Sequence, residues 1–249
     1  MDRTVAAAFY REAKRYAHEA DPELLDWFKT LSRRSFRRLT PRQFMEEYAW
    51  VVYASGFSYK TVQGVFPRLR RAFKNFDLDK VARMRTLAPV LSVFRNKRKA
   101  RFVREGARTL VQRGFGEFKR NVLGTGPDAL AELPGVGPIT KNHLARNVGL
   151  ASVAKNDRWI ARLVRLFDAE THDRLASLLA REFRTKPGVV DYVLWKFCAD
   201  RAWEKYGAVS LQSFVRRLRV RGDGRANRLK PAVGVGSVTG SRPRSPTAA

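Results

Sequence analysis

Apolar residues recur at helical spacing along most of the chain, and the strict alternation typical of strands is scarce. The clearest case is the segment TPRQFMEEYAWVVYAS. There Thr40 is a predicted N-cap, Pro41 takes the first helical position and Gln43 completes a capping box. Apolar side chains follow every three or four residues until Gly56 ends the helix. The pattern predicts an all-α protein.

The same spacing predicts further helices in both halves of the chain. They lie in the segments SYKTVQGVF, DLDKVARM, NKRKARFVREGARTLVQRG, DALAEL, ITKNHLARNVG, DRWIARLVRLF, HDRLASLLAREF and VVDYVLWKFCADRAWEKYG. The last residues, 222–249, are rich in Gly, Ser, Pro and Arg and carry no periodic apolar positions. This composition is typical of a flexible basic tail, so we expect a helical body over residues 1–221.

The charge balance indicates what kind of molecule the protein binds. The chain has 50 Lys and Arg against 23 Asp and Glu, a net charge of +27. Such an excess repels itself in a compact protein and is typical of proteins that bind a polyanion, because the partner neutralises it. A purely structural nucleic-acid-binding protein would carry the same charge. The charge therefore predicts a nucleic acid as partner without specifying an activity.

Residue composition argues against several kinds of site. The single cysteine, Cys198, excludes an internal disulfide or a four-thiolate cluster, and its apolar surroundings predict a buried position. The histidines lack zinc-ligand spacing, so we expect no metal and no cofactor. No apolar run approaches membrane-spanning length. We expect a soluble monomer without a membrane partner, located in the cytoplasm and, in a bacterium, associated with the nucleoid.

The segment LPGVGPIT carries the main motif. Pro134 and Gly135 predict a turn, and Gly137 precedes Pro138 at the start of the next helix. Glycines there allow close approach of another chain, and N–H groups beside a helix N-terminus favour phosphate. We interpret the backbone from Gly135 to Ile139 as a phosphate clamp. An ordinary helix–helix turn is the alternative.

LPGVGPIT resembles the hairpin of the helix-hairpin-helix DNA glycosylase superfamily, and Asp157, about 20 residues beyond it, resembles that superfamily's catalytic acid. The match covers roughly residues 40–167. The segments YASGFSYKTV, FKNFDLDKVARM and FRNKRKARFVREGAR are similar to 3-methyladenine DNA glycosylase I, a member of the same superfamily. The resemblance implies two helical lobes with a DNA-facing cleft between them, lobe A over about 40–150 and lobe B over 1–39 plus 151–221.

The chemistry of Asp157 is consistent with that role. Breaking an N-glycosidic bond develops positive charge on the sugar, which a fixed carboxylate stabilises while it orients or deprotonates a water. Its basic neighbours are expected to hold phosphates and keep the carboxylate ionised. The alternative is that Asp157 only caps the next helix. The predicted DNA-binding residues are Gly135, Val136, Gly137, Pro138, Ile139, Thr140, Lys141, Lys155 and Arg158.

The chain also departs from the superfamily pattern. Members that cleave the strand carry a lysine where this chain has Ile139, and Lys141 lies about 200° further around a helix. The departure favours a monofunctional enzyme, with a bifunctional lyase that uses a non-standard lysine as the alternative. A histidine often found after the acid is replaced by Trp159.

The resemblance implies a wedge and a base pocket. Phe57 stands where 3-methyladenine DNA glycosylase I has its intercalating residue, and Tyr59 stands at the position of a pocket tryptophan. Tyr53 and Trp50 lie about one and two helical turns before Phe57, and core packing is the alternative for both. Val51 replaces a glutamate that contacts the base, which weakens the case for 3-methyladenine itself.

Together these features predict a monofunctional DNA glycosylase of base excision repair. It would flip an alkylated or oxidised purine out of double-stranded DNA and hydrolyse the glycosidic bond with Asp157. Two other protein classes remain open, a non-catalytic helix-hairpin-helix DNA-binding protein and a basic RNA-binding protein.

Overall fold

The computed structural model describes residues 1–222, so the predicted tail lies outside the described residues beyond Gly222. These residues form α-helices, short 3-10 helices and connecting segments, with no strand among them. The all-α prediction is confirmed. The α-helices are α1 (Arg3–Ala20), α2 (Pro22–Thr30), α3 (Arg33–Arg38), α4 (Pro41–Ala54), α5 (Tyr59–Ala72), α6 (Leu78–Ala82), α7 (Ala88–Val93), α8 (Lys97–Arg113), α9 (Phe115–Thr125), α10 (Pro138–Asn147), α11 (Arg158–Leu166), α12 (His172–Glu182), α13 (Pro187–Ala199) and α14 (Leu211–Gly222).

Local signals place the start of α4 correctly. The Thr40 N–H donates to Gln43 Oε1 at 2.9 Å, and the Gln43 N–H donates to Thr40 Oγ1 at 3.3 Å, which is the predicted capping box. The helix ends at Ala54, and Gly56 follows with a left-handed backbone (φ 76°). The sequence therefore predicts both ends of this helix.

Two predicted helices differ from the structure. DALAEL forms a 3-10 helix, Pro127–Glu132, because it is confined between Gly126 (φ 86°) and the turn at Pro134. The long helix predicted up to Gly207 stops at Ala199. Arg201 adopts a left-handed backbone (φ 54°), and a 3-10 helix, Ala202–Tyr206, follows. Tertiary contacts decide this break, since Trp203 is buried only after the chain turns.

The described residues divide into two compact units. We call Met1–Thr30 together with residues 152–222 the terminal unit, and Leu31–Ala151 the central unit. In the terminal unit, α1 packs along α13, and the Phe9 ring contacts the rings of Phe167, Phe197 and Phe214 at centroid distances of 5.0–5.7 Å. Burial of these aromatic rings supplies much of its hydrophobic stabilisation.

The central unit is built around α4. This helix is buried on nearly every side, and α5, α8 and α10 pack against it. Phe44 contacts Phe118 of α9, and Trp50 contacts Phe66 of α5. A helix enclosed in this way is apolar around most of its circumference, beyond the single apolar face that the spacing of its residues predicts. No helix in residues 1–222 has the length and apolar content needed to span a membrane.

Candidate active site

The hairpin, residues 133–140 of the central unit, depends on one glycine for its turn. Gly135 has a left-handed backbone with φ 81°, and Leu133 and Val136 on either side of it are buried. A Cβ atom at Gly135 would lie 2.6 Å from the Phe102 ring. Glycine is therefore required at this position both for backbone conformation and for space.

A buried tyrosine holds the hairpin in place. The Tyr48 hydroxyl lies 2.6 Å from the Pro134 carbonyl oxygen and 2.8 Å from that of Phe102. Its ring fits against Gly106 of α8, where a Cβ atom would approach to 2.4 Å. Burial raises the pKa of the Tyr48 hydroxyl, so it remains a hydrogen-bond donor at all physiological pH values. No local pattern in the sequence marks Tyr48 as a support of the motif, because its partners lie 54 and 86 residues away.

The Gly137 N–H is not free to bind a phosphate, in contrast to the prediction for this position. It donates to Thr140 Oγ1 at 2.6 Å, so this donor is used within the chain. The N–H groups of Ile139 and Thr140 have no acceptor among the described residues, as expected in the first turn of a helix. These two groups are the donors available for a phosphate at the start of α10. The Ile139 side chain is exposed.

Lys141 is held away from that helix start. Its ammonium forms an ion pair with Asp128 on the surface of the central unit. This is consistent with the prediction that Lys141 does not take the place of the missing hairpin lysine.

Gly137 and Gly135 form a matched pair for testing the clamp. A Cβ atom at Gly137 would meet only Thr140 Oγ1, at 4.0 Å, so Gly137→Val should fold with a nearly unchanged melting temperature. We expect it to weaken binding to all DNA duplexes about equally, because the added bulk blocks the approach of phosphate rather than recognition of a base. Fluorescence anisotropy with lesion-containing and undamaged duplexes measures this. Gly135→Ala should instead lower the melting temperature, and a base-dependent loss in Gly137→Val would contradict the clamp.

In the terminal unit, Asp157 is the N-cap of α11. Its Oδ1 accepts hydrogen bonds from the N–H groups of Trp159 at 2.9 Å and Ile160 at 3.1 Å. Its Oδ2 forms an ion pair with the Lys155 ammonium. Asp157 therefore caps α11, and these hydrogen bonds fix the orientation of its carboxylate.

The surroundings keep this carboxylate ionised. Burial alone would raise the Asp157 pKa, but the Lys155 ammonium and the two backbone N–H donors outweigh burial and hold the pKa below its ordinary value. About a fifth of the side chain remains exposed. A carboxylate of this kind is a weak base and a stable negative charge, which suits electrostatic stabilisation of a cation.

The predicted phosphate contact at Lys155 does not fit the structure. Its side chain is only 5% exposed and pairs with Asp157, and its Nζ lies 5.2 Å from the Trp195 ring centre. A buried ammonium held by a carboxylate is not available to a phosphate at the surface.

Arg158, in contrast, is exposed and stacks on Trp159 at 5.0 Å, and Arg162 stacks on the same ring at 5.1 Å.

Two groups of α13 near Asp157 lie outside the predicted site. Asp191 is fully buried, and its Oδ1 accepts the Lys155 N–H at 3.1 Å. Cys198 is buried as predicted, and burial raises the pKa of its thiol, with a smaller contribution from the Asp157 charge. A charged residue in the apolar run VVDYVLW was the available signal for Asp191, because an acid at such a position requires a partner.

The residues predicted for the wedge and base pocket differ in exposure within the central unit. Trp50 and Tyr53 are buried, and Tyr53 packs against Phe94 at 5.4 Å, which favours the core-packing alternative. Tyr59 is half-buried at the first position of α5. Phe57 is 43% exposed.

The turn that carries Phe57 is well supported. Phe57 contacts Phe94 edge-on at 5.0 Å, and Lys99 Nζ lies 5.3 Å from its ring centre. That ammonium also donates to the carbonyl oxygens of Val52 at 2.5 Å and Ser55 at 2.6 Å, which satisfies the end of α4. Burial and the nearby Arg98 lower the Lys99 pKa to about 8. The arrangement leaves an apolar ring on the surface of a rigid turn.

Comparison with solved structures identifies the fold. The 8-oxoguanine DNA glycosylase of Thermotoga maritima matches this chain with a TM-score of 0.55 and 20% sequence identity, covering 77% of this chain and 96% of that protein. This likeness shows that the two proteins share a fold. Neither a protein-family model nor a curated protein sequence matches the chain. Residues 1–222 contain no group of three or more His, Cys, Asp or Glu that could hold a metal ion.

Proposed function

We propose that this protein is a monofunctional DNA glycosylase that removes an alkylated or oxidised purine from double-stranded DNA. The observation that carries the proposal is Asp157, an ionised carboxylate held rigidly at the start of α11. The glycosylase fold and the basic composition support it. In a module that only binds DNA, Asp157 would serve only as the cap of α11, and its negative charge would repel a phosphate backbone brought near it.

The proposed reaction assigns different roles to the two motifs. The free N–H groups of Ile139 and Thr140 bind a phosphate, while Asp157 stabilises the positive charge that develops on the sugar as the bond to the base breaks. The lowered Asp157 pKa favours this electrostatic role over strong general-base catalysis. The base leaves with the electron pair of the broken bond, water oriented by Asp157 attacks the sugar cation, and the proton that this water loses passes to the departed base.

A panel of single-lesion duplexes tests the proposal. Each duplex is incubated with the protein, and alkaline cleavage then reveals abasic sites. The panel includes 8-oxoguanine, which the Thermotoga maritima protein is named for, and several alkylated purines. Excision of at least one lesion is expected. Tight duplex binding without any excision would favour the non-catalytic DNA-binding protein, and equal affinity for single-stranded RNA would favour the RNA-binding protein.

The absence of a hairpin lysine predicts little lyase activity. Ile139 stands in place of the superfamily's amine nucleophile, Lys141 is paired with Asp128, and the Lys155 ammonium is held by a carboxylate. A protonated amine in an ion pair cannot attack the sugar. Borohydride added during turnover should therefore trap almost no protein–DNA adduct. Efficient trapping, followed by mapping of the modified lysine, would establish the bifunctional alternative instead.

A further inference from the structure

The environment of Asp157 contains a second, fully buried acid. The Lys155 ammonium lies between the carboxylates of Asp157, in direct ion pairing, and Asp191, whose Oδ2 is 4.0 Å away. Asp191 Oδ1 also accepts the Lys155 backbone N–H at 3.1 Å. Asp191 is 0% exposed. The three side chains form one buried cluster, which we call the acid–lysine–acid cluster.

The charge of this cluster differs from that of an ordinary salt bridge. A Lys155–Asp157 pair alone has no net charge, and a neutral pair stabilises a nearby cation only weakly. With Asp191 ionised, the cluster carries one net negative charge. Because the cluster is buried, solvent screens this charge less than it would at the surface.

Cys198 and Arg162 are further ionisable groups in this part of the terminal unit. Cys198 on α13 lies near Asp157, and burial keeps its thiol neutral by raising its pKa. Arg162 on α11 also acts on Cys198, and its guanidinium stacks on Trp159. The Trp195 ring faces the Lys155 ammonium from α13. Neither the neutral thiol nor the Trp195 ring carries a negative charge, and Asp191 is the acid that contacts Lys155 beside Asp157.

We propose that Lys155 and Asp191 are positioning residues of the glycosylase reaction. Lys155 fixes Asp157 and keeps it ionised, and Asp191 anchors Lys155 and restores the negative charge that its ammonium removes. The proposal rests on the glycosylase function proposed above. It assigns a role in base excision to an acid 34 residues beyond the catalytic aspartate.

The first test is Asp191→Asn. Asparagine keeps an oxygen that can accept the Lys155 N–H, so the variant removes the charge and preserves the shape. We expect the single-turnover excision rate at saturating enzyme to fall about tenfold or more, with duplex affinity unchanged. Asp173→Asn, on the exposed surface of α12, makes the same charge change and should excise at the wild-type rate. Equal rates for wild type and Asp191→Asn would overturn the proposal.

The second test is the pH dependence of Lys155→Met. Lys155 lowers the Asp157 pKa, so its removal should raise that pKa. Excision requires the ionised form of Asp157. In a plot of excision rate against pH, the acidic limb, where the rate rises as Asp157 ionises, should therefore move to higher pH. Lys155→Arg keeps the positive charge and should return the limb toward the wild-type position. A purely structural role would lower activity without moving the limb, and an unmoved limb in Lys155→Met would contradict the proposal.

A measurement without excision separates this proposal from the proposed function. The Asp157 carboxyl is titrated by carbon-13 NMR in wild type and in Lys155→Met, with Asp157→Asn used to assign the signal. A higher Asp157 pKa in Lys155→Met supports the cluster even if no lesion in the panel is excised. An unchanged Asp157 pKa overturns the role of Lys155 even if excision is efficient. If Lys155→Met does not fold, Lys155→Gln, which removes the charge but keeps a polar side chain of similar length, replaces it and should likewise show a raised Asp157 pKa.

Discussion

Asp157→Asn should lower the single-turnover rate of base excision by a factor of about 10²–10⁴ while leaving duplex binding intact or tighter. The side-chain amide keeps an oxygen for the N–H groups of Trp159 and Ile160, so the cap of α11 survives. The variant loses the negative charge that stabilises the sugar cation. Tighter binding is expected because one charge that repels the DNA phosphates has gone.

The measurement combines excision at saturating enzyme with anisotropy on the same lesion duplex. Asp173→Asn again provides the control, since it makes an identical charge change on the exposed face of α12. If Asp157→Asn excises as fast as wild type, Asp157 is only a helix cap. Loss of both binding and thermal stability would also argue for a structural role.

The lowered Asp157 pKa has a consequence for stability. A carboxyl whose pKa is lower in the folded protein stabilises the fold above its unfolded pKa, and this stabilisation disappears as the pH falls through the folded pKa. Wild type should therefore be more stable than Asp157→Asn at neutral pH. The difference should begin to shrink as the pH falls below about 4, the ordinary pKa of an aspartate, and disappear only below the lower folded pKa. Melting temperatures of both proteins across this range check the sign.

The second large effect is expected for Phe57→Ala. The ring is 43% exposed on a rigid turn and packs against Phe94, so it is available to enter the base stack when a nucleotide leaves. Inserting an apolar ring offsets an unstacking cost of a few kcal/mol. The Ala variant should lose about tenfold to a hundredfold in activity on lesions paired stably in duplex DNA. The loss of activity should be smallest for lesions in mismatched sites, because those bases are already weakly paired.

Phe57→Leu provides the matched control for the wedge, since an apolar side chain of similar reach should recover much of the activity. Thermal stability distinguishes the alternative. Truncating a buried phenylalanine to alanine lowers the free energy of unfolding by about 3–5 kcal/mol. Truncating an exposed ring should lower it much less. A large drop in melting temperature together with an equal loss on all substrates would refute the wedge.

Local signals in the sequence were sufficient for much of the fold. The capping box at Thr40 and Gln43 and the left-handed Gly56 depend on neighbours within a few residues, so the sequence predicts α4 correctly. The all-α class follows from the same helical periodicity. The Gly135 turn also follows from local chemistry, because proline and glycine restrict the backbone whatever surrounds them.

The candidate site depended more on contacts between distant segments. Lys155 was predicted to hold phosphate from its position beside Asp157, but the packing of α13 buries it against Asp191, 36 residues away. Tyr48 supports Pro134 across 86 residues and fits only because α8 presents Gly106 at that point. Charge and hydrogen-bonding capacity are properties of residue types and can be recognised in a sequence. Which charge meets which partner, and how deeply water is excluded, depends on the packing of helices distant along the chain, so only the tertiary structure determined it.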